Sequence, residues 1–326
     1  MTTTKTLRTL AVIAHCAVLG GLTGGVHAQA YPNKPIRYIV PFNAGGGADA
    51  MARLLAGPLS ERLGQQVVIE NRGGAGGTIG AALGAKAPAD GYTLVMGSTN
   101  LAAAPSLHGK LPYDTLKDFT PVTLLAKTPS IFAVHPSLPV KSVKELIALA
   151  RARPGQINYA GGAGSTNHLD AEYFKSLAKI DLVQVPYNGT GASLIGVLSG
   201  EASIIIAPTL VVLPHVRSGR LRALAVTSLQ RSPAISEIPT VDESGLPGFE
   251  TAQWYGILTP AGVSEPIVTR LNAESVRIVQ APEFAARLAR EGSIPQGTTP
   301  QEFAAYFRDE IAKWQKAIKI SGAKAE

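Results

Sequence analysis

At 326 residues, 45% of them apolar and 16% charged, the chain has material for about two domains, which excludes wholesale disorder and a single small module. Its formal charge of +7 is scattered, with no run of three Lys or Arg, so a concentrated nucleic-acid footprint is excluded and a modest pull on small anions remains. The 34 glycines follow no fixed period, which excludes a fibrous repeat.

Residues 1–30 carry Lys5 and Arg8, an apolar stretch over 10–22 and the ending Ala28-Gln29-Ala30. A basic start, a short apolar middle and an A-x-A close predict a secretory signal peptide, cleaved after Ala28 or Ala30. Gly20, Gly21, Gly24 and Gly25 interrupt the segment and argue against a spanning anchor. Cys16 is no lipoprotein signal, because His15 stands where a small residue is needed. Cleavage would leave an exported chain of net charge +5 without cysteine, in which thiol chemistry and cysteine-ligated metals have no place.

Strand-like runs are expected at 36–40, 67–70, 92–96, 157–160, 182–186, 203–207 and 221–227. Helical spacing lies between them: Met51, Leu54, Leu55 and Leu59 share one face, and Leu146, Ile147, Leu149 and Ala150 another. The alternation predicts an α/β fold with largely parallel sheets. Ser142-Val143-Lys144-Glu145 reads as a capping box opening a helix to about residue 153. Thr299-Pro300-Gln301-Glu302 is a second, with proline at the first helical position and the core stripe Phe303, Tyr306, Phe307, Ile311, Trp314 and Ile318 behind it. Two βα groups, about 31–125 and 157–227, are joined by Pro-flanked extended pieces at 122–136 and 239–260. Assigning the last two helices to the first group gives one lobe of 31–128 plus 254–326 and a second of 129–253. Lobes joined by two crossings form a hinge and close around a ligand.

Four glycine-rich segments stand where a strand hands over to a helix. They are Pro41-Phe42-Asn43-Ala44-Gly45-Gly46-Gly47-Ala48-Asp49, then Asn71-Arg72-Gly73-Gly74-Ala75-Gly76-Gly77-Thr78, Gly161-Gly162-Ala163-Gly164-Ser165-Thr166 and Tyr187-Asn188-Gly189-Thr190-Gly191. Glycine lets successive N–H groups point into one concavity, and a helix start adds partial positive charge, so such turns receive carboxylate or phosphate. Each is equally able to be a plain tight turn. Asp49 either complements a helix dipole or meets a ligand hydroxyl, ammonium or water. Phe42 and Tyr187 are core aromatics or cleft walls, His168 a local hydrogen-bonding group or a ligand contact, and the Ser98 hydroxyl ends the third strand within reach of the same cleft.

Sharper catalytic motifs fail. Gly162-x-Gly164-x-x-Asn167 lacks the third glycine of a dinucleotide fingerprint, and Asp181 precedes the strand it should end. There is no GxxxxGK, no GxSxG and no HExxH; His108, His135, His168 and His215 form no i, i+4 pair. No catalytic residue, metal or cofactor is therefore expected, although a dinucleotide-dependent enzyme remains the competing class.

Ordered short motifs run through residues 31–326: Tyr31-Pro32-Asn33-Lys34-Pro35-Ile36-Arg37, Pro41-Phe42, Asp49-Ala50-Met51-Ala52-Arg53, Glu70-Asn71-Arg72, Gly76-Gly77-Thr78-Ile79-Gly80, Asp90-Gly91-Tyr92-Thr93-Leu94, Pro136-Ser137-Leu138-Pro139-Val140, His168-Leu169, Val185-Pro186-Tyr187 and Trp254-Tyr255-Gly256. In these the chain resembles the Bug family, periplasmic receptors related to tripartite tricarboxylate transporters. The resemblance implies a two-lobed type II periplasmic-binding-protein fold without catalysis, holding a small carboxylate between the lobes, partly through ordered water. It implies ligand contacts from Phe42, Asn43, Gly45, Gly46, Gly47 and Asp49, from Gly164, Ser165, Thr166 and His168, and from Tyr187, Gly189 and Gly191, with Ser98 and Ala207 beside them. Ala44, Asn167, Ala192 and Ser203 depart from the family's usual residues, and Ala207-Pro208 lacks the Asp or Asn often seen there. An ammonium partner is thus missing, which favours a mono- or dicarboxylate over an amino acid. The implied partners are a small organic acid and either membrane subunits of a tripartite tricarboxylate-type transporter or a sensor protein; a monomer that binds no nucleic acid is expected.

Overall fold

A computed structural model describes residues 31–162, 165–232, 235–290 and 292–321. The leader and Cys16 lie outside them. Across residues 34–321 the seven expected strands are present, shifted by at most a residue or two: β1 (Ile36–Val40), β2 (Val67–Asn71), β3 (Thr93–Ser98), β5 (Asn158–Gly161), β6 (Val183–Pro186), β7 (Ile204–Pro208) and β8 (Arg222–Val226). To these the structure adds β4 (Phe119–Val134), β9 (Ala252–Pro260) and the two-residue β10 (Ile294–Pro295). Most of the first joining piece and the end of the second, from Ala252, are thus themselves central strands.

Strand order is β2-β1-β3-β9-β4-β7-β5-β6, with β8 and β10 also pairing with β4. The sheet is mixed, a correction to the expectation of largely parallel pairing. The βα pairs β1–β2, β1–β3, β5–β6 and β5–β7 are parallel, but everything that touches β4 or β9 is antiparallel. The reason is connectivity, since β4 and β9 carry the chain between the two groups in opposite directions. Along its 16 residues β4 serves both, pairing with β9 from Phe119 to Pro129 and with β7 from Ser130 to Val134.

Side-chain alternation explains the layers around this strand. Phe132 and Val134 of β4 join Ile204 and Ile206 of β7 in one buried cluster, whereas Ile131 and Ala133 join Ile205 and Ala207 in another. A strand buried on both faces reads as a continuous apolar run, as 204–207 does. Helices cover both faces: α4 (Val143–Ala152) and α5 (Thr166–Ala178) on the first, α6 (Thr190–Leu198) and α7 (Thr209–Arg217) on the second. Each fully buried Phe or Ile contributes roughly 2–3 kcal/mol.

The β1–β3 strands carry α1 (Gly47–Leu63), α2 (Thr78–Ala85) and α3 (Thr99–Leu107). After β9 come α8 (Glu265–Gln280), α9 (Pro282–Arg290) and α10 (Pro300–Ser321). The expected stripe on α10 is buried: Phe303, Phe307, Trp314 and Ile318 pack with Leu101, Phe119 and Trp254. The Thr299 capping box forms in full, whereas the Glu145 carboxylate of the Ser142 box accepts from the Lys141 N–H at 2.7 Å. Ser142 Oγ accepts from the Glu145 N–H at 3.2 Å, and Thr299 and Glu302 cap each other reciprocally at 3.2 and 2.9 Å. Among the described residues no helix is long and apolar enough to cross a membrane.

Candidate functional site

Three helices begin at one place. α1 starts after Gly46 and α6 after Gly189, neither with a side-chain cap; α5 starts after Ser165, whose hydroxyl accepts from the His168 N–H. Their first residues, Gly46, Gly47 and Ala48, then Ser165 and Thr166, then Gly189 and Thr190, line a single cavity of about 50 Å³. A helix start leaves N–H groups without intrahelical acceptors and carries partial positive charge. Glycine at the cap withholds the hydroxyl or carboxylate that would otherwise satisfy them, so these donors are free for a guest.

The remaining wall is Phe42, Asn43, Asn100, Pro208, Gln253 and Tyr255. It holds no charged side chain, so any anion is received by dipoles and neutral donors. Burial pushes the Tyr255 phenol far up, which keeps it protonated and able to donate. Gly47 is required by this ring, because a Cβ there would overlap the phenol oxygen. Thr166 Oγ1 stands 2.8 Å from Asn100 Oδ1 and 2.7 Å from Gln253 Oε1. A hydroxyl has one proton to donate, so one of these amides can turn its NH2 toward Thr166 or toward a guest.

Two of the glycine turns close over the cavity. Asn43 Nδ2 donates to Asn188 Oδ1 at 3.0 Å and to Asn188 O at 3.1 Å, and a Cβ on Gly191 would touch Gly45 O at 3.4 Å. Beside this lies a second cavity of about 210 Å³, sharing Phe42, Asn43, Ser165 and Gly189 and also lined by Tyr187 and Asn188. The Tyr187 ring itself stands over Gly196 of α6.

Asp49 does not reach the cavity. Its carboxylate accepts from the Gly45 N–H and Arg53 Nε, both at 3.0 Å, and from Asn71 Nδ2 at 3.1 Å. Burial would raise this carboxyl, but Arg53, Gly45 and Asn71 more than offset it and hold it below the usual range. Asp49 therefore shapes the turn that presents Gly46 and Gly47. Gly45 (φ +86°) serves the same turn. Ser98, the N-cap position of α3, is buried with no partner for its hydroxyl, outside the cavity wall. His168 sits buried in the first turn of α5, behind Ser165 and Thr166. Ala207 is buried in β7, and its neighbour Pro208 forms the wall. Gly164 lies outside the described residues.

Asn100, Thr190, Pro208, Gln253 and Tyr255 are wall residues that the sequence reading did not select. Only Thr190 and Tyr255 had a usable signal, the first inside a glycine turn and the second inside a quoted motif. Among the described residues no three His, Cys, Asp or Glu side chains gather as a metal set.

The fold defines a class, the two-lobed solute-binding proteins of type II with a ligand cleft between the lobes. Residues 51–323 match the model of the tripartite tricarboxylate transporter family receptor, and the chain belongs to that family, which includes the Bug proteins. It is 38% identical to Protein BugT of Bordetella pertussis over 97% of this chain and 98% of BugT. Among solved structures it is similar to R. palustris Rpa4515 with adipate, at a TM-score of 0.88 and 38% identity over 90% of this chain and 99% of that one. MatC from Rhodopseudomonas palustris with bound malate follows at 0.84 and 33%, over 88% of this chain and all of its own.

Proposed function

We propose that this chain is an exported periplasmic receptor that closes on a small organic carboxylate lacking an ammonium group and delivers it to membrane subunits of a tripartite tricarboxylate-type transporter. The observation that carries the reading is the convergence of three helix starts on one cavity whose wall bears no charge. An α-ammonium group would find no carboxylate there, since Asp49 is committed to Gly45, Arg53 and Asn71. The relatives solved with adipate and with malate support a carboxylate. A wall without thiol, carboxylate or imidazole supports binding over turnover. The lobes of this receptor are residues 31–128 with 254–326, and 129–253. The change of β4's partner between Pro129 and Ser130 supports that division.

Thermal unfolding of ligand-stripped protein against a panel of mono-, di- and tricarboxylates tests the reading. Binding to the folded state alone stabilises it by about 2.7 kcal/mol at a hundredfold excess over Kd, so at least one compound should raise the Tm by several degrees. A flat response across the panel would refute it.

A further inference from the structure

Thr166 and Asp170 stand four residues apart on one face of α5, and Thr251 and Gln253 stand two apart at the start of β9. The two pairs meet as two rungs between helix and strand. Thr166 Oγ1 is 2.7 Å from Gln253 Oε1, and both residues line the first cavity. One helical turn further, about 5.4 Å along α5, the Thr251 hydroxyl stabilises the Asp170 carboxylate. Ser130 Oγ of β4 donates to Asp170 Oδ2 at 2.9 Å. The first rung borders a guest, and the second holds a carboxylic acid.

Asp170 is 1% exposed. The side chains that β4 and β9 turn to it are neutral hydroxyls. β5 and β7 pack on α5 through Tyr159, Ile204 and Ile206, and the Tyr159 hydroxyl donates to Glu172 at 2.8 Å. α10 brings the Lys313 ammonium, which lies 3.4 Å from Glu310 Oε1, and no ion pair to Asp170 forms among the described residues. On α5 itself the ionisable neighbours are His168 and Glu172, the latter paired with Lys175 at 2.8 Å. A carboxylate buried without a cation in contact bears a large desolvation cost, which favours its neutral form. Burial accordingly carries this carboxyl up to about 7. Asp49, also buried, is paired with Arg53 and held below the usual range, so its charge does not change near neutral pH.

We infer that Asp170 links ligand binding to proton uptake, so that the receptor holds a carboxylate more tightly at acid than at alkaline pH. The inference rests on the carboxylate reading above and adds a regulation of that same site. An anion at the start of α5 repels a second negative charge one turn behind it, and a proton on Asp170 removes that repulsion. The anion therefore raises the affinity of Asp170 for its proton, and by linkage the proton raises affinity for the anion by the same factor. Across roughly 9 Å of partly buried surroundings that factor is about tenfold.

Calorimetric titration of ligand-stripped protein with malate, succinate, adipate and hexanoate tests it. For the tightest binder of the four, affinity should fall about five- to tenfold from about pH 6.5 to about pH 9. At about pH 7.5 the binding heats in HEPES and in Tris should differ by the uptake of about half a proton. Asp170→Asn, neutral at every pH, should bind with the acid-side affinity throughout and take up no proton. Ser130→Ala, which removes a donor to the carboxylate, should move the midpoint of the pH dependence upward. Circular dichroism confirms that each variant is folded. A wild type with level affinity and no proton uptake would overturn the inference. So would a pH dependence that persists in Asp170→Asn, which would place the proton on another group such as His168, or a midpoint unmoved in Ser130→Ala. Each of these leaves the carboxylate receptor standing, whereas binding of none of the four acids would overturn both.

Discussion

Gly46 and Gly47 are adjacent in sequence and both line the cavity, yet their surroundings differ sharply. A Cβ on Gly46 meets nothing closer than Thr190 Cβ at 3.8 Å, which is ordinary contact. The same atom on Gly47 would overlap the Tyr255 phenol, a ring buried in β9 that has nowhere to move. Gly47→Ala should therefore weaken carboxylate binding by about a hundredfold or more, the scale of an overpacking cost of 1–3 kcal/mol added to lost donors. Gly46→Ala should bind within a few-fold of wild type. Titration calorimetry on the two variants checks this, and equal affinities would remove Tyr255 and Gly47 from the site.

The β1–α1 turn is an element held by one buried carboxylate. Arg53 is the weaker support, because its side chain is 56% exposed and an ion pair to solvent is worth about 0–1 kcal/mol. The Gly45 N–H and Asn71 Nδ2 bonds to Asp49 matter more, since losing a partner leaves a buried group unsatisfied at about 1–3 kcal/mol. Asp49→Ala should destabilise the protein by about that amount and weaken ligand binding through the turn. The folded carboxyl titrates below its unfolded value of about 3.9, so its contribution is present above that pH and lost as the pH falls through the lower folded value. Urea unfolding across the acid range should show a slope that the variant lacks; parallel curves would contradict the assignment.

Over the whole molecule, β4 is where the two strand groups meet, and a hydrogen-bonded cluster lies at that point. Ser130 N donates to Thr227 Oγ1 at 2.9 Å, Thr227 Oγ1 donates to Thr251 O at 2.6 Å, and Ser130 Oγ donates to Asp170 Oδ2 at 2.9 Å. Burial pushes the Asp170 carboxyl up to about 7, against the opposing pull of the Ser130 and Thr251 hydroxyls and the Lys313 charge. With the folded value above the unfolded one, the contribution is fully present below about pH 4 and lost as the pH rises through 7. Stability should decline by at most ~1.4 kcal/mol per pH unit across that window. Asp170→Asn, which still accepts from Ser130, should flatten the decline and be the more stable protein at pH 8. Urea midpoints at acid and alkaline pH decide it, and an unchanged slope in the variant would rule Asp170 out as its source.

Local pattern was enough for the α/β alternation, the N-caps Ser142 and Thr299 and the buried run 204–207, because each depends on neighbours within one turn or one strand. The glycine turns were legible for the same reason: a strand end followed by glycine and a helix start is a short-range signature, and three of the four line the first cavity. The sequence by itself also determined the family, through motifs spread from Tyr31 to Gly256. Tertiary structure alone decided that the two joining pieces supply the central antiparallel strands. Their flanking prolines made them look like linkers, whereas the register of β4 and β9 accommodates Pro121, Pro129 and Pro260, with a bulge after Pro121. It decided as well that Asp49 faces its own turn and that Asn100 and Gln253 meet Thr166 across 66 and 87 residues of chain. Such contacts leave no periodicity or spacing to read, because what joins them is the packing of one layer on another.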